Sequence, residues 1–77
     1  MTGPSRWRSI LAAGSPRDRQ EALHAARRVF RRATTTAELH RFGNGAAAQL
    51  ARRGIDTALF WAAIALLESS SLNLASV

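Results

Sequence analysis

The chain has no cysteine, no lysine and no tyrosine, only two prolines, and five acidic residues against eleven basic ones. Each shortage excludes something. Without cysteine there is no disulfide and no thiolate metal site. His24 and His40 are the only imidazoles and stand far apart in the chain. Neither has the neighbours that a zinc site needs, so no metal and no cofactor are expected. Cysteine, lysine and tyrosine are also three of the side chains most used in covalent and acid–base chemistry. The carboxylates Asp18, Glu21, Glu38, Asp56 and Glu68 are scattered, and Glu38 and His40, two apart, point away from each other on a helix. Gly43-Asn44-Gly45 lacks the rest of any phosphate-loop pattern. The chain reads as non-enzymatic.

Long apolar runs are missing too. The longest, Ala58 to Leu67, falls well short of the ~18–20 residues that span a bilayer. Ile10-Leu11-Ala12-Ala13 is too short for a secretory core segment. Residues 1–17 contain no acid and carry Arg6, Arg8 and Arg17, a composition shared with organellar presequences. An ordinary N-terminal helix accounts for it more simply, and a cytoplasmic or otherwise intracellular location is expected.

What is present is arginine, alanine and helix signals. All the basic residues are arginine, and the net charge is +6. Arginine and alanine have GC-rich codons, so genome composition contributes to the bias. The charge itself still favours phosphates, anionic lipid or acidic protein surfaces. The 77 residues make one domain, 1–77, with 1–4 and 72–77 as terminal segments. A core of this size supplies only ~3–5 kcal/mol on its own.

The expected fold class is all-α, a compact bundle of three to four short helices. The first spans about 5–13, with Ser5 as N-cap, Trp7, Ile10 and Leu11 on one face, and Gly14 as a left-handed cap. The second, 16–33, has the clearest start: Ser15 caps, Pro16 takes the first helical position and Asp18 sits near the positive dipole end. Thr35-x-x-Glu38 has capping-box spacing and opens the third. Leu39, Phe42, Ala46 and Leu50 stay in helical phase across Gly43-Asn44-Gly45, which favours one helix over 36–53. The alternative is a break at 43–45. Arg52-Arg53-Gly54 ends this segment, Asp56 caps the last helix, 56–69, and Ser69-Ser70-Ser71 closes it. Leu72 to Val77 reads as an apolar tail folding back on the bundle.

Two constellations stand out. On the second helix, Ala22, Leu23, Ala26, Val29, Phe30 and Ala33 share one arc, while Arg17, Arg27, Arg28, Arg31 and Arg32 lie on the other. Guanidinium forks match phosphate and carboxylate geometry, so this face suits a nucleic-acid backbone or an acidic protein. The last helix is apolar nearly all round. Ala58, Ala62 and Ala65 form a small-residue stripe. Phe60, Trp61, Ile64 and Leu67 make further apolar surface, with aromatics of the kind that anchor interfaces.

The string Ala47-Ala48-Gln49-Leu50-Ala51-Arg52-Arg53-Gly54-Ile55-Asp56 resembles the first helix and turn of a helix-turn-helix motif, with Thr57 to Leu67 as the recognition helix. Base reading needs polar side chains near the start of that helix, and Ala58, Leu59, Phe60 and Trp61 stand there. Ala51 also lies three residues before the turn glycine, where the motif has four. The Leu50, Gly54-Ile55 and Ala63-Ile64 spacing is similar to that of ubiquitin-associated domains, but the tail is too short for their third helix, and no function is carried across.

The leading expectation is a non-enzymatic interaction protein, an adaptor, regulator or assembly subunit. It docks on a protein partner or self-associates through the Phe60, Trp61, Ile64 and Leu67 arc, while the arginine face contacts an acidic partner. The alternative is a nucleic-acid-binding regulator using that arginine face on phosphates, with little base readout. Neither reading needs a small-molecule substrate, and membrane binding is the least favoured use of either surface.

Overall fold

A computed structural model describes the backbone of residues 4–75 and the surroundings of side chains 6–69. Residues 1–3, 76 and 77 lie outside the described residues, and with them the ends of both expected terminal segments. The chain is an all-α bundle of four helices: α1 (Pro4–Ala13), α2 (Pro16–Arg32), α3 (Thr36–Arg52) and α4 (Thr57–Ala75). No helix among the described residues is long and apolar enough to cross a membrane.

Local chemistry sets the helix starts. The Ser15 hydroxyl accepts from the Asp18 amide at 3.1 Å, with Pro16 next in the chain. The Thr35 hydroxyl accepts from the Glu38 amide at 3.1 Å, and an Asp56 carboxylate oxygen accepts from the Ala58 amide at 2.9 Å. Each satisfies a donor that has no partner inside its helix. The expected capping box at Thr35 is displaced by one residue. Glu38 reaches past the N-cap and accepts from the Thr34 hydroxyl at 2.6 Å and the Thr34 amide at 2.9 Å. The Thr34 hydroxyl, then its amide, hold the Glu38 carboxyl below its ordinary value of 4.5, with Arg41 adding attraction.

The helix ends differ in kind. After α3, Gly54 has φ +80°, its amide donates to the Ala51 carbonyl, and the Ile55 amide donates to the Leu50 carbonyl, each at 3.0 Å. This is the Schellman arrangement, and buried Ile55 and Leu50 give it an apolar clasp. Gly14, expected to be left-handed, is not. Gly54 is the only described glycine with positive φ. A Cβ on Gly14 would meet the Leu59 methyls at 2.8 Å, so the Leu59 side chain would have to shift to admit one there. The Leu11 carbonyl near the end of α1 accepts from the Gly14 amide at 3.2 Å and from the Arg19 guanidinium at 3.4 Å. Ser5, expected as the N-cap of α1, lies inside that helix instead.

Helix α4 is the centre. It packs most extensively on α2, then on α1, and more lightly on α3. Small side chains are among the most deeply buried: Ala22 and Ala26 of α2 and Ala62 and Ala63 of α4 are all 0% exposed. Leu11, Val29, Leu39, Ala47, Leu50, Ile55, Leu59, Phe60 and Ile64 complete the core. The close-approach stripe is therefore rotated from the expected Ala58, Ala62, Ala65 line, since Ala58 is exposed. Helix α4 also runs through the three serines to Ala75 rather than stopping at 69. Serine costs a helix interior only about 0.5 kcal/mol, too little to end one. A separate tail beginning at residue 72 is not formed, and the side chains beyond Ser69 lie outside the described ones.

Gly43-Asn44-Gly45 is helix, as the apolar register suggests, and its two glycines have different reasons to exist. Gly43 is buried, and a Cβ there would sit 2.8 Å from the Trp61 ring and 3.4 Å from Phe60. It lets α3 rest on the aromatic pair of α4, whose rings meet edge-on at 5.0 Å. Gly45 is exposed and nothing lies within 4 Å of where its Cβ would be.

Two outcomes follow for stability. Gly45→Ala should stabilise the chain by about 1 kcal/mol, raising Tm by roughly 4–8 °C, because it removes a helix-interior glycine without a clash. Gly43→Ala should lower Tm despite the same gain in propensity; thermal melts followed by circular dichroism check both. Glu38 gives a pH signature. A carboxyl held low when folded stabilises above 4.5 and loses that contribution as pH falls through its folded value. The Tm gap between the wild type and Glu38→Gln should be open at about pH 7 and close at acidic pH.

A basic groove between the second and third helices

The expected apolar arc is largely internal. Phe60 is 0% and Ile64 3% exposed, so neither is available to a partner, and this part of the docking surface is corrected by the burial. Trp61 and Leu67 are half-buried against the core. Among the described side chains of α4, Leu59, Phe60, Ala62, Ala63 and Ile64 are buried by the rest of the bundle, Trp61, Ala65, Leu66 and Leu67 are partly covered, and Ala58 is exposed. The same burial removes Phe60 from any recognition-helix role.

The arginine face divides. Arg28 and Arg32 line a groove of about 460 Å³ between α2 and α3, while Arg17, Arg27 and Arg31 are exposed outside it. Helical spacing explains the division. On α2, His24, Arg28 and Arg32 form one row at four-residue steps, with Ala25 and Val29 in the row beneath. On α3, Arg41, Gly45, Gln49 and Arg53 form a matching row, with Phe42, Ala46 and Leu50 beneath. The upper rows are the polar walls, and the lower rows make an apolar floor continuous with the core. From Arg41 to Arg53 the wall extends about 18 Å at ~1.5 Å per residue.

The two ends of the groove differ electrostatically. At one end, Arg53 is paired with Glu21 at 3.1 Å. At the other, Arg32 and Arg41 come from different helices to the same ring, their guanidinium carbons 5.3 and 5.7 Å from the Phe42 centroid. Such contacts are worth ~0.5–1 kcal/mol at exposed sites, enough to bias side-chain orientation. Among the described residues, Arg53 is the only groove arginine with a carboxylate partner in ion-pair range. Arg41 feels Glu38 one turn back only as a longer-range attraction. Arg28, Arg32 and Arg41 are therefore exposed cations beside the recess without a carboxylate in ion-pair range.

Sequence reasoning placed Arg28 and Arg32 at the site but missed Arg41, Arg53, His24, Gln49 and Phe42. The four-step spacing of Arg41, Gln49 and Arg53 was there to be read; which face of α3 meets α2 was not. Chemically the groove can bind anions. Among the described residues no group of three His, Asp or Glu is placed to hold a metal ion. A second recess, between Phe30, the Thr34-Thr35-Thr36 turn, Leu39 and Glu68, has no basic lining residue. No protein-family model matches the chain, and no curated protein or solved structure matches it.

The Glu21–Arg53 pair has side chains 34% and 55% exposed, and a pair this wet adds little to stability. Glu21→Gln should shift unfolding free energy by less than about 0.5 kcal/mol in denaturant titration while leaving a fourth arginine of the groove without a carboxylate partner.

Proposed function

We propose that this chain is a non-enzymatic binding module that holds a phosphate-rich polyanion, a nucleic acid, in the groove between α2 and α3. The observation that carries this reading is the convergence of Arg28, Arg32 and Arg41, from two helices, on one recess without a carboxylate in ion-pair range. Guanidinium groups bind phosphate oxygens through paired, planar donors, and fixing them beforehand lowers the ordering cost of binding. The net charge of +6 adds long-range attraction and speeds encounter. Arg17, Arg27 and Arg31, on the outer face of α2, extend the positive field beyond the groove without being part of it. Contacts of this kind hold a backbone and read little sequence.

The protein-docking role, favoured first from sequence, loses its main surface with the burial of Phe60 and Ile64. An acidic protein remains the competing occupant of the same cations. It differs in lacking regularly spaced phosphates, so polyglutamate serves as its surrogate.

Binding is measured by fluorescence anisotropy with a labelled oligonucleotide of mixed sequence. Affinity should fall by roughly 20-fold between 50 and 200 mM salt if three phosphates are neutralised, given a slope of ~0.7 per phosphate. The triple variant Arg28→Gln, Arg32→Gln, Arg41→Gln should abolish binding, whereas Arg17→Gln, Arg27→Gln, Arg31→Gln, which removes the same charge, should weaken it several-fold. Equal losses from the two triples, or tighter binding of polyglutamate than of the oligonucleotide, overturn the reading.

A further inference from the structure

We infer that the groove is built for an unpaired strand, with the Arg32–Phe42–Arg41 cluster as the surface on which its bases stack. This rests on the nucleic-acid reading above and specifies its ligand. Three observations carry it. The cations stand around a recess between two neighbouring helices. A rigid duplex presents a convex surface and can meet such a recess only at its rim. A single strand can lie in the recess with its phosphates on the arginine rows.

The second observation is Phe42. A site for phosphates alone has no use for a ring, yet Phe42 is only partly buried and lines the groove. Its neighbours extend it: two guanidinium planes from different helices lie at 5.3 and 5.7 Å from its centroid. Aromatic faces and guanidinium planes both stack on nucleobases. Only unpaired bases can reach such a surface, because a duplex keeps its base faces inside. The third observation is Gly45. It costs a helix interior about 1 kcal/mol relative to alanine, and no neighbour forbids a side chain there. It lies in the α3 wall of this groove, one turn from Arg41, and its missing side chain leaves the recess open.

The experiment uses the full chain and three labelled oligonucleotides of equal length: a mixed-sequence single strand, its duplex, and a base-free sugar–phosphate strand. The single strand should bind about tenfold more tightly than either of the others, the gap expected from one stacked base. The base-free strand should keep the same salt slope. Phe42→Leu should narrow the gap between base-bearing and base-free strands and leave that slope unchanged. Gly45→Leu raises helix propensity, so it retains the fold. By filling the groove it should weaken the single strand by tenfold or more.

Duplex binding as tight as the single strand, or a base-free strand that binds equally well, overturns this inference and leaves the phosphate-binding reading standing. Unchanged affinity in Gly45→Leu places the ligand elsewhere and also overturns it. No binding of any oligonucleotide at low salt overturns both.

Discussion

Everything in this bundle follows from the need to cover α4. A helix with apolar side chains on every face must be shielded on every face, and only three short helices are available to do it. Large side chains on both partners would hold the helices apart. The chain places alanine where α2 meets α4 and glycine where the start of α2 and the middle of α3 approach it. Ala22, Ala26, Ala62 and Ala63 exclude water completely while contributing little volume, so backbones come close and Phe60 can be enclosed between them. Interiors packed this densely tolerate added methylenes poorly, at ~1–3 kcal/mol for each overfilled position.

That constraint also makes the groove. Helix α2 gives its Ala22–Ala26–Val29 row to the core, and α3 gives Leu39, Gly43, Ala47 and Leu50. The adjoining rows of the two helices then face each other above the core without room to interdigitate fully. They hold arginine, histidine and glutamine in the upper positions and apolar residues below. A basic recess is what remains when two amphipathic helices turn their apolar faces toward a third.

The helices were legible in the sequence because their signals are local. Ser15-Pro16, Thr35 and Asp56 each satisfy a backbone donor within a few residues, and spacing alone reveals them. Continuity through Gly43-Asn44-Gly45 was legible from the apolar register, although the residues in phase differ in depth: Leu39 and Leu50 are buried in the core, while Phe42 and Ala46 are only partly buried at the groove. What sequence could not tell was why a glycine is there. Gly14 and Gly43 answer to side chains roughly twenty to forty-five residues away, Leu59 and Trp61, and nothing adjacent announces that. The same limit governed the surfaces. Periodicity assigns a residue to a face of its own helix but not to a neighbour, so Phe60 and Ile64 were read as an exposed arc, and Arg41 was not joined to Arg32.

The acidic residues explain why the groove keeps its charge. Asp18 and Glu38 lie in the first turns of α2 and α3, and Asp56 caps α4. There they complement helix dipoles, and the Glu38 and Asp56 carboxylates also accept from backbone amides. Glu68 lines the other recess, and only Glu21 reaches a groove arginine. With five acids in the chain, capping leaves Arg28, Arg32 and Arg41 without a close counter-charge. Genome composition can raise the number of arginines, but it does not choose where carboxylates sit. Arg28, Arg32 and Arg41 keep their charge beside the recess because the carboxylates other than Glu21 stand elsewhere, three of them where helices begin.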